Sequence, residues 1–183
     1  MKRLYFLFIL LLATSFGFCQ YQPKPGETVL KLTIQGKGDV VIKLFTDKAP
    51  KTTAHIIRLA ESGFYNDQKF FKVVKDPKPF LVLFGDPGSR TKSADDSTLG
   101  SGGSGTRVAY EETGLSNNAE GMVGLSTLPR DRDSGDSQFY ILLAPSKFLD
   151  GNYTVFGQVA SGLELIKQVQ VGDKVTSAAI LRG

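Results

Sequence analysis

A single cysteine, a single histidine and no tryptophan occur among the 183 residues. The cysteine, Cys19, falls at the end of a segment that does not read as fold. Met1-Lys2-Arg3 is a short positive start, Leu4 to Ala13 is an almost unbroken apolar run, and Thr14 to Gln20 turns small and polar. That is the layout of a secretory signal peptide, with an apolar stretch too short to span a bilayer. Gly17 and Cys19 stand as the small residues at −3 and −1, so cleavage after Cys19 is expected and the product is exported, to a periplasm or out of the cell. A lipid-attachment cysteine would want a small residue before it, and Phe18 is not small. Membrane attachment follows only if Cys19 is lipidated. Without Cys19 the mature chain can have no disulfide, no thiolate nucleophile and no cysteine metal site. Serine-histidine-acid chemistry and histidine metal sites then rest on His55 alone.

The excess of positive charge is also small. The formal net charge of +4 drops to about +2 once Lys2 and Arg3 are cut away, too little to imply a polyanion-binding surface. Basic residues are scattered without an interleaved aromatic platform, so no nucleic acid is expected as partner. No internal repeat is present.

What remains reads as one domain, residues 29–183, preceded by an extended arm, 20–28, with Pro23, Pro25 and Gly26. Val29 to Ile34 and Asp39 to Phe45 alternate apolar and polar residues across Gly36-Lys37-Gly38, a β-hairpin with one buried face. Ala49 to Ser62 changes to a helical period, with Pro50 in the first turn, Gly63 past the end, and Thr53, Ile56, Ile57, Ala60 and Phe64 on one stripe. His55 falls on the opposite side with Arg58 and Glu61, where a solvated side chain is expected. Strand-like runs follow at 69–74, 80–84, 121–125, 138–143, 153–159 and 175–181, with a short helix at 163–169. About eight short strands and two helices, with no strand-helix-strand alternation, predict a mainly β fold: a closed eight-stranded antiparallel barrel capped by two α-helices. Its bulky aliphatic inward faces argue against a hollow carrier. Gly85 to Thr106, rich in Gly, Ser and Asp, is expected to be a surface loop.

Two motifs point to chemistry their context does not support. Gly100-Ser101-Gly102-Gly103-Ser104-Gly105 satisfies a dinucleotide pattern, but no strand precedes it and no helix follows. Asp131-Arg132-Asp133-Ser134-Gly135-Asp136 imitates a calcium loop, but its glycine is one place early and its twelfth position is Leu142.

Several segments, in this order, resemble the cyclophilin-type peptidyl-prolyl cis-trans isomerases. They are Val41-Ile42-Lys43-Leu44-Phe45 running into Ala49-Pro50-Lys51-Thr52, then Gly121-Met122-Val123-Gly124-Leu125-Ser126, Ser137-Gln138-Phe139-Tyr140-Ile141, Phe148-Leu149-Asp150-Gly151 and Tyr153-Thr154-Val155-Phe156-Gly157. The resemblance implies the eight-stranded barrel with two helices, no cofactor and no metal, a monomer, and proline-containing polypeptides as substrates.

It also implies site residues. The family's catalytic arginine stands where this chain has Lys72, in Phe70-Phe71-Lys72-Val73-Val74, and Gln138 carries over intact. Phe80 and Leu81 are the implied floor of the proline pocket, and Leu83 replaces a glutamine that contacts substrate backbone. Ser126, Thr127 and Leu128 replace a small-Asn-small triplet that anchors the peptide. Tyr140 stands for a pocket phenylalanine, Phe148 for a tryptophan, Leu149 matches, and Tyr153 replaces a histidine. Lys75 to Lys78 reads as an insertion that blurs the spacing from Lys72 to Phe80. Phe139, Ile141 and Phe156 are expected in the core. Lysine keeps the arginine's charge but not its planar fork, so the implied activity on exported proteins is an isomerase with reduced turnover. The alternative is a catalytically weak module that binds proline-containing segments. Arg130 and Arg132 are candidates to replace the missing guanidinium.

Overall fold

The structure is a computed structural model and describes residues 21–183. The expected leader and Cys19 lie outside those residues. Eight strands follow in order: β1 (Thr28–Ile34), β2 (Gly38–Leu44), β3 (Lys72–Val74), β4 (Leu81–Phe84), β5 (Met122–Leu125), β6 (Phe139–Leu142), β7 (Val155–Ser161) and β8 (Val175–Arg182). Helix α1 (Pro50–Glu61) leads from β2 toward β3, and α2 (Leu163–Gln168) leads from β7 toward β8. Every pairing is antiparallel, in the order β3-β4-β6-β5-β7-β2-β1-β8.

The sheet curls into a half-barrel and does not close, which corrects the closed barrel expected from the sequence. β3 is only three residues long. The segment before it meets the approach to β8 through one bridge, Lys69 with Lys174, and through Val175 N–H to Gln68 O (2.8 Å) and Phe70 N–H to Asp173 O (3.0 Å). Those crossing bonds also explain why Lys69 and Phe70 lie outside the strand that periodicity assigns to 69–74.

Alternation decides what the sheet buries. Leu30, Leu32 and Ile34 of β1, Val40, Ile42 and Leu44 of β2, Val82 and Phe84 of β4, and Val123 and Leu125 of β5 point into one core. Phe139, Ile141 and Phe156 join them, as expected. Tyr65, Phe70, Phe84, Phe139 and Phe156 make tilted and edge-to-face contacts at 5.1–5.9 Å, so aromatic rings fill the interior. Tyr65 is wholly buried and its hydroxyl donates to Ser137 O at 3.0 Å.

Helix α1 has no local side-chain cap. Glu111 supplies one from sixty residues away, accepting from Lys51 N–H (2.9 Å), Thr52 N–H (2.7 Å) and the Thr52 hydroxyl (2.6 Å). A carboxylate there meets both the unpaired first-turn amides and the positive end of the helix dipole. His55 overturns the solvated reading: it is buried, because residues 106–109 return across that side of the helix. Its Nε2 lies 3.6 Å from Asp136 Oδ1, beyond hydrogen-bond reach. Burial lowers its pKa, the Asp136 carboxylate opposes that, and Arg58 adds to the lowering.

Candidate active site

Residues directly opposite on antiparallel strands point to the same face of a sheet. Lys72 pairs with Leu83, Leu83 with Tyr140, and Tyr140 with Gly124. One row across β3, β4, β6 and β5 thus carries a cation, an aliphatic, an aromatic ring and a gap. The next row is Val74, Leu81 and Leu142. Since Val82, Phe84, Phe139 and Ile141 face the core, these rows face away from it. The hairpin register also settles the spacing that the extra residues 75–78 obscure: they lie in the β3–β4 connection and leave Lys72 opposite Leu83.

On that outer face a second apolar cluster forms. Leu81, Met122, Tyr140, Leu142, Leu149 and Val155 are buried in it, with Phe80, Leu83 and Tyr153 half-buried at its margin. Phe148, 71% exposed, stacks on Phe80 with ring centroids 5.5 Å apart. Tyr153 meets Tyr140 edge-on at 5.7 Å. Every aromatic and aliphatic group expected to build the proline pocket is therefore in this patch, and Leu83 lines it rather than the core. Lys72 is exposed beside it, two strand spacings or about 10 Å from the Tyr140 backbone.

A polar cleft of about 310 Å³ adjoins the patch, lined by Gly100–Gly103, Ser126, Thr127, Leu128, Arg107 and Gln138 among others. Ser126 N–H donates to Gln138 O at 2.8 Å, which brings the 126–128 triplet alongside Gln138. The Gln138 amide donates to Gly102 O at 2.5 Å.

The glycine-rich segment is held by two carboxylates. Asp86, 1% exposed, accepts from the backbone N–H of Gly88 (2.7 Å), Gly100 (2.6 Å) and Gly102 (3.1 Å). Asp136 accepts from Ser104 N–H (3.0 Å), the Ser104 hydroxyl and Gly105 N–H (2.9 Å). A Cβ on Gly102 would lie 3.0 Å from Asp86 Cγ, and one on Gly103 would lie 2.9 Å from Asp136 Cγ. At Gly102 and Gly103, the absence of a side chain is what lets the carboxylates come this close to the backbone. The calcium-like run likewise disperses: Asp131 pairs with Arg107 at 3.4 Å, Asp133 accepts from Tyr110 N–H at 2.9 Å, and Asp136 serves the loop.

Sequence reasoning missed Asp86, Asp136, Asn117 and Asp150 as supports of the site. For Asp86 and Asp136 the one signal was an acidic residue among glycines and small polar residues, which solvated loops show equally. Of the two arginines considered, Arg132 donates to Gly151 O at 2.7 Å and stacks on Tyr110 at 4.3 Å, which commits it to the lip at residues 148–153. Arg130 is exposed in a left-handed turn (φ 66°).

The family model for cyclophilin-type peptidyl-prolyl cis-trans isomerases matches residues 29–181. The chain belongs to that family. It is an isomerase. A probable peptidyl-prolyl cis-trans isomerase of Brucella suis is 32% identical over 145 residues, 78% of this chain and 72% of the relative. A peptidyl-prolyl cis-trans isomerase of Schizosaccharomyces pombe is 32% identical over 138 residues, 72% of this chain and 79% of the relative. Among solved structures, a Cryptosporidium parvum cyclophilin-type isomerase, crystallised in the presence of the dipeptide Ala-Pro, superposes with a TM-score of 0.72. The match covers 85% of this chain and 99% of that one at 21% identity.

Proposed function

We propose that this cyclophilin turns X–Pro bonds of exported polypeptides between cis and trans, with Lys72 as the cation and with lower turnover than an arginine would give. The observation that carries the reading is the row Lys72, Leu83, Tyr140 and Gly124, which sets a positive charge on the same face as an apolar pocket.

No covalent bond is exchanged in the reaction. Uncatalysed, it takes roughly 10–100 s at 25 °C. Rotation breaks the amide resonance and returns the lone pair to the prolyl nitrogen, so a donor aimed there binds the twisted form better than either planar one. Leu81, Tyr140, Leu149 and Phe80 hold the ring and exclude water, which favours the planar, more polar amide. Gln138 and the neighbouring 126–128 backbone, which line one cleft, hold the peptide beside the proline. A lysine ammonium is one mobile point charge, where a guanidinium sets two donors in a plane. Losing one charge-assisted hydrogen bond, about 1.5–3 kcal/mol, corresponds to a rate roughly tenfold to a hundredfold lower.

NMR exchange of a short Ala-Pro peptide, with residues 21–183 added, tests this. Lys72→Ala should lose most of the acceleration and Lys72→Arg should raise it. A Lys72→Ala enzyme as fast as wild type would remove the lysine from the mechanism.

Export rests on the leader-like order of charge, apolar run and small residues across 1–19. Mass spectrometry of the protein from its own cells should find a chain beginning at Gln20; intact chain in the cytosol would overturn export. A monomer is the matching expectation, with membrane attachment only if Cys19 is lipidated.

A further inference from the structure

We propose that Asn117 and Asp150 are positioning residues of the proline pocket. Together with the Tyr140 hydroxyl they form a polar strut, buried at Tyr140 and Asn117 and half-buried at Asp150, that fixes the pocket floor on β6 against its lip at residues 148–153. The inference rests on reading that patch as the proline site.

The strut runs through a fixed sequence of donors and acceptors. Asp150 can only accept: its Oδ1 takes Asn117 N–H (2.7 Å) and the Asn117 side-chain NH₂ (2.9 Å), and its Oδ2 takes the Ser116 hydroxyl (2.6 Å). With its NH₂ committed to the carboxylate, Asn117 must present Oδ1 to Tyr140, whose hydroxyl donates to it at 2.8 Å. Asn117 O in turn accepts from Ser146 N–H at 2.7 Å. Asn117 is fully buried and Tyr140 is 2% exposed. Burial raises the Tyr140 pKa, with the bond to Asn117 opposing, so the hydroxyl stays a neutral donor. Burial alone would raise the Asp150 pKa as well, yet the bonds from Asn117 and Ser116 outweigh it and hold the carboxyl below its ordinary value.

Packing alone does not require this hydroxyl. A phenylalanine would fill the same floor, and burying a hydroxyl without a partner is costly. The tyrosine oxygen points to Asn117, back into the protein, so it serves as an anchor and not as a substrate contact. Gly124 lets the ring lie close over β5, where a Cβ would stand 2.7 Å from Tyr140 Cε1. At the other end, Asp150 follows Leu149, a wall of the pocket, and precedes Gly151, whose carbonyl takes Arg132. The strut thus joins floor to wall. Without it both surfaces remain apolar, but the distance between them is no longer set.

A slack pocket grips the proline ring less well in the planar and the twisted state alike. The expected signature is therefore a higher KM with kcat preserved. Asp150→Asn keeps the shape and replaces one acceptor by a donor; Tyr140→Phe keeps the ring and orphans Asn117 Oδ1. NMR shift titration with the Ala-Pro peptide should show Kd raised roughly tenfold for Asp150→Asn and several-fold for Tyr140→Phe, as expected for a buried partner left unpaired. KM should rise in step, kcat should stay within about twofold, and the double variant should be little worse than Asp150→Asn, because both cut one network. If Asp150→Asn fails to fold, Tyr140→Phe decides. Unchanged Kd and KM, a loss confined to kcat, or a lower Tm with wild-type binding would each overturn the strut. A wild-type protein that neither binds nor isomerises the peptide would overturn the proline-site reading itself.

Discussion

Replacing Gly102 with alanine should damage both stability and catalysis, although the change is a single methyl. Gly102 has no left-handed φ, so the cost is steric: the added Cβ collides with Asp86 Oδ1 and stands 3.0 Å from Cγ. Asp86 is 1% exposed and tied to three backbone amides, so it cannot swing aside without leaving a charge-assisted bond unmade. Overpacking costs about 1–3 kcal/mol, and each hydrogen bond to a charged group about 1.5–3 kcal/mol. A destabilisation of about 3 kcal/mol is expected, or roughly 6–12 °C in Tm for a domain of this size. The Gly102 carbonyl that holds the Gln138 amide moves with the backbone, so kcat/KM should fall about tenfold, equivalent to about 1.4 kcal/mol. Calorimetry and the peptide exchange assay read the two effects. Ser101→Ala, which removes only an exposed hydroxyl bonded to Thr98 O, should cost less than about 0.5 kcal/mol. In an Asp86→Ala background the new methyl has room, and Gly102→Ala should add almost nothing. A Gly102→Ala protein with unchanged Tm, or one whose loss simply adds to that of Asp86→Ala, would refute the account.

Three further outcomes are expected. Glu111→Ala should destabilise the domain by about 2 kcal/mol, since it strips two amides at the start of α1 and the Thr52 hydroxyl of their acceptor; urea denaturation measures it. His55 has a folded pKa below its unfolded value, so it favours the folded state fully above about pH 6.5. That contribution is lost as pH falls from there toward the depressed folded value. In denaturation curves between pH 8 and 5, His55→Asn should flatten this part of the decline. Phe148→Ala, at a ring 71% exposed, should change stability by less than about 0.5 kcal/mol while weakening peptide binding several-fold through loss of the Phe80 stack.

The strands were legible because alternation is a local property. Leu30-Lys31-Leu32-Thr33-Ile34 states which residues are inside without reference to the rest of the chain. Pro79-Phe80-Leu81-Val82-Leu83-Phe84 does not, since it is apolar at every position. There the division is made by register: Val82 and Phe84 enter the core, while Leu81 and Leu83 face the pocket beside Tyr140. His55 was misread for a related reason. Its helix shows one apolar stripe, and a second burial surface supplied by residues 106–109 leaves no trace in that periodicity. The composition of 85–106 correctly indicates a segment that buries little apolar area. Its order comes instead from Asp86 and Asp136, bonds that composition cannot report.

By itself, the sequence determined the number and approximate limits of the strands and helices, the apolar interior and, through its resemblance to the cyclophilins, the family. Those follow from short-range alternation and from motifs a few residues long. Tertiary structure alone decided that the sheet stays open between β3 and β8. It also decided that Lys72 shares a row with Tyr140, that Glu111 caps a helix sixty residues before it, and that Asn117 joins the pocket floor to Asp150. Each of these depends on which distant backbone lies alongside which. A hydrogen bond a few ångströms long is set by that placement and not by neighbours in the chain.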